Sequence, residues 1–428
     1  MRSELRPLRE LCSLIADCPH STPVWTDSGY VVIRNQNIKN GRLDLNAPSF
    51  TDADHFAHRT RRAKPTAGDI IFTREAPMGE VCMIPPGLEC CVGQRQVLLR
   101  PNPEVVDGRF LLFALQSPQV QHEIAWNEGT GSTVSNVRVP VLEALRIPTP
   151  PLKIQYEIGA VLGGLDDRID LLRQTNATLE SIAQALFKSW FIDFDPVRAK
   201  AEGREPEGMD ADTAALFPAE FEESALGLIP KGWRVGKLAD VCTNPRAQAK
   251  PGQMDAYTPY IGLEHMPRKS IALDSAGTAD GLESGKFWFD RDDVLFGKLR
   301  PYFHKVGLAP CHGVCSTDIL VLRTKAPEWL GFVAMHASSD ALVSYATQLS
   351  NGARMPRTSW HDVGGFAVSL PSRPLAVAFN MTARATFERI YANIETARTL
   401  AETRDTLLPR LISGKLRLPE AEAALEAA

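Results

Sequence analysis

Between Pro151 and Pro196 runs PLKIQYEIGAVLGGLDDRIDLLRQTNATLESIAQALFKSWFIDFDP, with Ile158, Leu165, Leu172, Leu179 and Leu186 falling seven apart. Val161 and Ile182 are read as the companion positions of the same face. A seven-residue apolar period is the pattern of a helix with one long seam. About 40 residues at 1.5 Å each make a rod of roughly 60 Å. A lone helix is marginal in water, so such a seam needs a partner along its length. Arg168 and Thr175 interrupt the strict pattern, and Gly163-Gly164 offers a place for a kink.

A matching seam lies near the C-terminus. Ala383, Phe387, Ile390, Ile394, Ala397, Ala401, Leu408 and Leu411 follow alternating steps of three and four, with Arg404 as the polar break. Periodicity leaves two arrangements open. Either the helices pair with each other, or each caps its own domain.

A chain of 428 residues is expected to form two or three domains. Its apolar fraction of 44% supports sizeable cores. The formal net charge of -4 carries no whole-chain signature of nucleic-acid binding, but only a local basic surface must meet phosphates. No charged start leads into an apolar run, and no run of about 20 apolar residues occurs, so the expected setting is cytoplasmic. The eight cysteines are too few for a disulfide scaffold in a chain this long. Cys311 and Cys315, with His304 and His312 nearby, lack the second matched pair that a zinc site wants; no metal is expected.

Before the first rod the chain reads as short strands broken by turns. Tyr30-Val31-Val32-Ile33, Ile70-Ile71-Phe72, Val81-Cys82-Met83-Ile84 and Val97-Leu98-Leu99 are strands, and Phe110 to Leu115 is a short helix. A Gly129-to-Thr133 loop follows, and the prolines around Pro148 to Pro151 stop any element before the rod. Residues 196 to 232, with seven glycines and prolines between Gly203 and Gly232, read as a linker.

From 233 the order of elements returns. Tyr260 to Leu263 answers Tyr30 to Ile33, Asp293 to Arg300 answers Asp69 to Arg74, and Ile319 to Arg323 answers Gln96 to Arg100. Near the loops and helices the offset is about 221 residues, which means two copies of one unit rather than a solenoid.

No catalytic constellation accompanies the repeat. Gly281 to Lys286 falls one residue short of a phosphate loop, and no G-x-S-x-G or H-E-x-x-H occurs. Asp166-Asp167 and Asp292-Asp293 are read as solvated faces. Two similar units without visible chemistry describe a binding device, and a twofold repeat suits a bipartite target on duplex DNA. The residues suited to it cluster in loops. In the first unit they are Arg34, Gln36, Asn37 and Lys39, then Arg59, Arg61, Arg62 and Lys64, then Arg74, Gln94 and Arg95. In the second they are Arg268 and Lys269, then Lys298, Arg300, His304 and Lys305, then Arg354 and Arg357. Arginine, glutamine and asparagine can read base edges, while lysine more often meets phosphate. Arg74 and Arg300 are placed at matching points of the repeat. Phe303 and Trp288 are assigned to core packing ahead of base stacking. The competing classes are an adaptor holding two protein-binding modules and a metal-dependent nuclease.

Several stretches carry a resemblance: Gly131-Ser-Thr133 before Ile147-Pro-Thr-Pro-Pro151, Leu179 to Pro196, Gly227-Leu-Ile-Pro-Lys-Gly-Trp233, and Leu407 to Lys415. With the order of elements, they make the chain similar to the DNA-specificity subunits of type I restriction-modification systems. The resemblance implies an α+β chain in which two target-recognition domains are separated by two long antiparallel helices, a coiled-coil-like spacer with an internal pseudo-twofold repeat. It implies a first target-recognition domain at 1–150, a first spacer helix at 151–196 and a linker at 197–232. A second target-recognition domain at 233–373, a second spacer helix at 374–416 and a tail at 417–428 complete it. The spacer would pack through Ile158, Leu165, Leu172, Leu179, Leu186, Phe387, Ile394 and Leu408, and Trp190, Phe191 and Phe194 would face a partner. The chain would be non-catalytic and would bind double-stranded DNA, two modification (methyltransferase) subunits and two restriction (motor-nuclease) subunits. S-adenosylmethionine, ATP and magnesium would belong to those partners.

Overall fold

The computed structural model describes residues 4–126, 136–352 and 354–421. The chain forms two compact units, one from residues 1–169 with 399–428 and one from 170–398.

In the first unit a four-stranded antiparallel sheet runs Cys12–Asp17, Gln96–Pro101, Ile70–Thr73, Val81–Met83. A three-stranded sheet runs Ser49–Thr51, Tyr30–Ile33, Cys90–Val92, its last pair parallel. Val97 and Leu99 on one side of the central sheet pack on the helix Gly108–Gln116, while Ile71 and Leu98 face the smaller sheet. This is the alternation of a strand buried on both faces.

The second unit repeats the plan. Its four-stranded sheet runs Cys242–Thr243, Ile319–Thr324, Val294–Gly297, Val306–Leu308. Its other sheet has five strands and keeps the parallel pair, here Pro259–Ile261 beside Gly313–Cys315. Each unit also carries a matching brace. Buried Asp69 accepts from Arg100 Nε and Nη2 at 2.8 Å each, and buried Asp293 accepts from the same atoms of Arg323 at 2.9 and 2.6 Å.

The long helices are Leu152–Phe191 and Arg373–Ile412, each unbroken. The first helix continues through Gly163-Gly164 without a break. Gly163 instead lets the Arg109 side chain lie against the helix, since a Cβ there would meet Arg109 Nη1 at 2.6 Å. Each unit contains a section where the two helices pair antiparallel. In the first, Ile158, Leu162 and Leu165 share a core with Leu407, Leu408 and Leu411, and Arg404 on one helix reaches Asp166 on the other at 2.5 Å. In the second, Phe187 shares a core with Phe379 and Phe387, and Asn393 Nδ2 donates to Asn176 Oδ1 at 2.8 Å.

The buried face of the first helix corrects two companion positions. Val161 is only half-buried and Ile182 is exposed; the stripe runs through Leu162, Ile169, Asn176, Ala183 and Trp190. Those five alternate with Ile158, Leu165, Leu172, Leu179 and Leu186 in steps of four and three. Arg168 and Thr175 therefore lie beside the seam and do not break it. Leu172, Leu179 and Leu186 are half-buried, while Phe387, Ile394 and Leu408 are buried.

Trp190, Phe191 and Phe194 do not present a surface to a partner. They are 5%, 2% and 9% exposed and pack with Phe187, Phe217, Trp233, Phe332 and Phe379 inside the second unit. The stretch between 195 and 232 forms helices Asp195–Ala201 and Ala211–Ala215 and a hairpin Phe221–Ser224 with Gly227–Pro230. Val197, Phe217 and Ile229 anchor it in the same core. Among the described residues, no helix is long and apolar enough to cross a membrane.

Candidate nucleic-acid interface

In each unit the turns at one end of the central sheet bring several of the candidate cations together. In the first, Arg74 N–H donates to the Arg95 carbonyl at 2.8 Å, and Gly93 N–H to the Ile33 carbonyl at 2.7 Å. The Asn35 amide donates to the Glu75 carbonyl, and Gln96 Nε2 to Asn35 Oδ1 at 3.1 Å. These bonds bring together the turns at 34–37, 74–80 and 93–96. Arg34, Gln36, Lys39 and Arg95 stand exposed, and Gln94 is half-buried with its amide given to His20 and Thr22. Arg95 lies 3.3 Å from Glu75. Arg61, Arg62 and Lys64 are exposed on the segment after the helix Ala53–Arg59. Lys64 pairs with Glu89 at 2.6 Å, which raises its pKa.

In the second unit one of these bonds recurs, Lys298 answering Arg74, and others hold the neighbouring turns. Lys298 N–H donates to the Asp318 carbonyl, Thr358 N–H to the Lys298 carbonyl, Arg300 N–H to the Pro356 carbonyl and Lys269 N–H to the His304 carbonyl, all at 2.7 to 3.0 Å. Lys269, Arg354 and Arg357 are exposed; Lys298, Arg300 and Lys305 are half-buried. Glu180, buried on the first long helix, holds the neighbouring segment by accepting from the Ser270 hydroxyl and from the N–H groups of Ile271 and Ala272. Burial raises its pKa against those donors. Burial, with Arg268 nearby, lowers that of Lys305, whose Nζ donates to the Leu263 carbonyl. Arg357 pairs with Asp318 at 3.0 Å.

Four polar candidates are occupied inside their own unit. Arg59 is 2% exposed and donates to the carbonyls of Val92, Ser21 and Pro19 at 2.7 to 3.1 Å. Asn37 is buried, accepting from Arg34 N–H and donating to the Asp44 carbonyl. Arg74 donates to Asp17 at 2.8 Å and to the Val137 carbonyl at 3.0 Å. His304 is buried and donates through Nε2 to the Ser338 carbonyl at 2.9 Å.

Arg74 and Arg300 are not equivalent. Thr73 pairs with Gln96 as Gly297 pairs with Ile319, so Arg74 corresponds to Lys298 and Ala76 to Arg300. Both Ala76 (φ 43°) and Arg300 (φ 49°) are left-handed residues before a proline. Two aromatic side chains were missed by the sequence reading. Trp25 is 46% exposed with the Arg34 guanidinium 5.0 Å from its ring centroid, and Tyr302 is 52% exposed at the second unit's turn. The available signal was an aromatic in a polar or turn-forming stretch beside cations. The Gly129-to-Thr133 loop and Ala353 lie outside the described residues. Among the described residues, no group of acids, histidines and cysteines is placed to hold a metal ion.

Comparison with known proteins adds four findings. A family described as "Type I restriction modification DNA specificity domain" matches residues 3–181. The chain is 24% identical over 362 positions to the type I restriction enzyme MjaIX specificity subunit of Methanocaldococcus jannaschii, covering 82% of this chain and 78% of that one. It is 24% identical over 410 positions to the HindI specificity subunit of Haemophilus influenzae, covering 82% and 86%. Among solved structures, the S subunit of a type I restriction-modification system from M. genitalium aligns over 95% of both chains, at 16% identity and a TM-score of 0.49.

Proposed function

The chain belongs to the family of DNA-specificity subunits of type I restriction-modification systems, and we propose that its two α+β units each read one half of a split sequence on double-stranded DNA. Its role is that of the non-catalytic specificity subunit. The observation that carries the two-half reading is the repeated loop cluster. The central four-stranded sheet occurs twice with one strand order, and each copy gathers turns carrying arginine and lysine, with glutamine in the first, at the same end of that sheet.

Under this reading Arg34, Gln36, Arg61, Arg62, Lys64, Gln94 and Arg95 serve one half-site. Lys269, Lys298, Arg300, Lys305, Arg354 and Arg357 serve the other. Contacts to phosphate set orientation, and contacts to base edges in the major groove specify sequence. The antiparallel helices act as the spacer that fixes the gap between the halves and dock two modification subunits. Those subunits extrude an adenine and methylate its N6 from S-adenosylmethionine. Two restriction subunits, using ATP and magnesium, complete the assembly in the cytoplasm.

The test is a genome-wide map of N6-methyladenine in cells holding the modification subunit, with and without this chain. One split motif of fixed gap, methylated only when the chain is present, is the expected result. An unchanged map beside an active modification subunit overturns the reading.

A further inference from the structure

The turn between strands Val294–Gly297 and Val306–Leu308 is bent at two non-glycine residues, Arg300 (φ 49°, ψ 63°) and His304 (φ 51°, ψ 53°). Left-handed backbone at side-chain-bearing residues persists only where surroundings over-determine it. Here they do. Arg300 N–H donates to the Pro356 carbonyl at 2.7 Å, the His304 carbonyl accepts from Lys269 at 2.9 Å, and the buried His304 ring is tied to Ser338. Phe303 N–H closes the turn on the Arg300 carbonyl at 2.9 Å.

At the tip of this fixed turn stands Tyr302, 52% exposed, its ring edge-on to Phe303 at 4.8 Å. The Arg268 guanidinium lies 4.2 Å from the Phe303 ring centroid and that of Arg300 at 5.9 Å. Arg300 Nε is buried and has no hydrogen-bond partner among the described residues. The corresponding turn of the first unit also has a left-handed residue before proline, but carries Met78, which packs on that unit's own core. That turn has seven residues between Thr73 and Val81 against eight between Gly297 and Val306, and of the two only the second presents an outward aromatic ring.

We propose that Tyr302 is a specificity-determining residue whose ring contacts a base of the half-site read by the second unit, with Phe303 and the Arg268 guanidinium holding it in place. The proposal rests on the DNA reading above. Phosphates draw the flanking cations, and an apolar ring face meets a base or a thymine methyl group without needing the hydroxyl. A pre-set turn presents that ring with little ordering left to do on binding.

The experiment compares wild type, Y302A, Y302F and R268A, each co-expressed with the modification subunit, by mapping N6-methyladenine and counting methylated near-cognate sites. Y302A is expected to make one position of one half-site degenerate, with discrimination there falling about tenfold or more. The other half-site and the gap stay as in wild type. Y302F keeps the wild-type motif, and R268A relaxes the same position less. An unchanged motif in Y302A, or weaker methylation at all sites with no degeneracy, overturns the proposal. If the wild-type complex itself yields no split motif dependent on the chain, the DNA reading fails instead.

Discussion

The buried ion pair on the first unit's helix seam supports a quantitative prediction. Asp166 and Arg404 side chains are 13% and 12% exposed, so solvent screens them little. Arg404 Nη1 lies 2.5 Å from Asp166 Oδ1, and its Nη2 also reaches exposed Asp405 at 2.8 Å. Arg42 Nη2 donates to the Asp166 carbonyl at 3.0 Å and sits 3.6 Å from its carboxylate. Removing one partner of such a pair costs about 3–5 kcal/mol, because a charge is left in a poorly solvated site. R404L retains Arg42 near the carboxylate, so its loss is expected at the low end, about 3 kcal/mol. In D166L Arg404 keeps Asp405 and Arg42 keeps the backbone carbonyl of residue 166, so its loss is also expected at the low end, about 3 kcal/mol. The double variant D166L/R404L extends the leucine seam and should regain most of the loss, leaving a coupling of about 2 kcal/mol or more. The assay is urea denaturation of all four proteins at pH 7.5, repeated toward pH 4.5. Burial already raises the Asp166 pKa against the opposing pull of Arg404. In R404L it rises further, so the folded state binds a proton that the unfolded chain, with a carboxyl near 3.9, does not. Stability of R404L relative to wild type therefore recovers as pH falls through that window. Additive single losses, or an R404L deficit that widens on acidification, would refute the reasoning.

Three further outcomes follow from other contacts. His336 is fully enclosed by Phe187, Phe332 and Phe366, and burial lowers its pKa to about 3. The unfolded ring binds a proton below about 6.5 and the folded one does not, so it removes about 1.4 kcal/mol of stability per pH unit between those values; in H336L, pH-dependent denaturation should show a shallower acid slope. Asn176 and Asn393 are buried and bonded to each other, so N176L alone should cost about 1–3 kcal/mol in chemical denaturation while N176L/N393L is near neutral. Arg61, Arg62 and Lys64 are exposed whereas Arg59 is buried. Alanine at each of the first three should shrink the slope of log affinity against log salt by about one in DNA-binding titrations of the complex; R59A should lower the melting temperature and leave that slope alone.

What the sequence disclosed depended on how local the deciding contact was. The seven-residue period at Ile158 to Leu186 was legible because it needs only spacing. The companion positions were not, since Val161 and Leu162 are equally apolar and only the partner helix selects between a step of three and one of four. The aromatic run at Trp190 to Phe194 was read as outward because its partners, Phe332 and Phe379, lie more than 130 residues away in sequence. Arg59 and Asn37 had the right chemistry for DNA, but backbone carbonyls within their own unit accept from both. The Arg74–Arg300 match failed by two residues, a distance that only strand pairing resolves.

The two units agree where the fold is made and differ where a ligand would be met. The Asp69–Arg100 and Asp293–Arg323 braces, the strand order and the left-handed residue before proline recur. Each sits at a junction where a substitution would strand a buried charge or strain the backbone, so little variation is tolerated there. The turn residues themselves diverge. Arg74 becomes Lys298, Met78 gives way to Tyr302, and an arginine rests on Trp25 in one unit and on Phe303 in the other. A device that bound the same thing twice would have no physical reason to keep its frame and change its rim. On the reading proposed above, two different half-sites would supply that reason: a common scaffold would deliver two sets of side chains to DNA, each free to change without unfolding the unit that carries it.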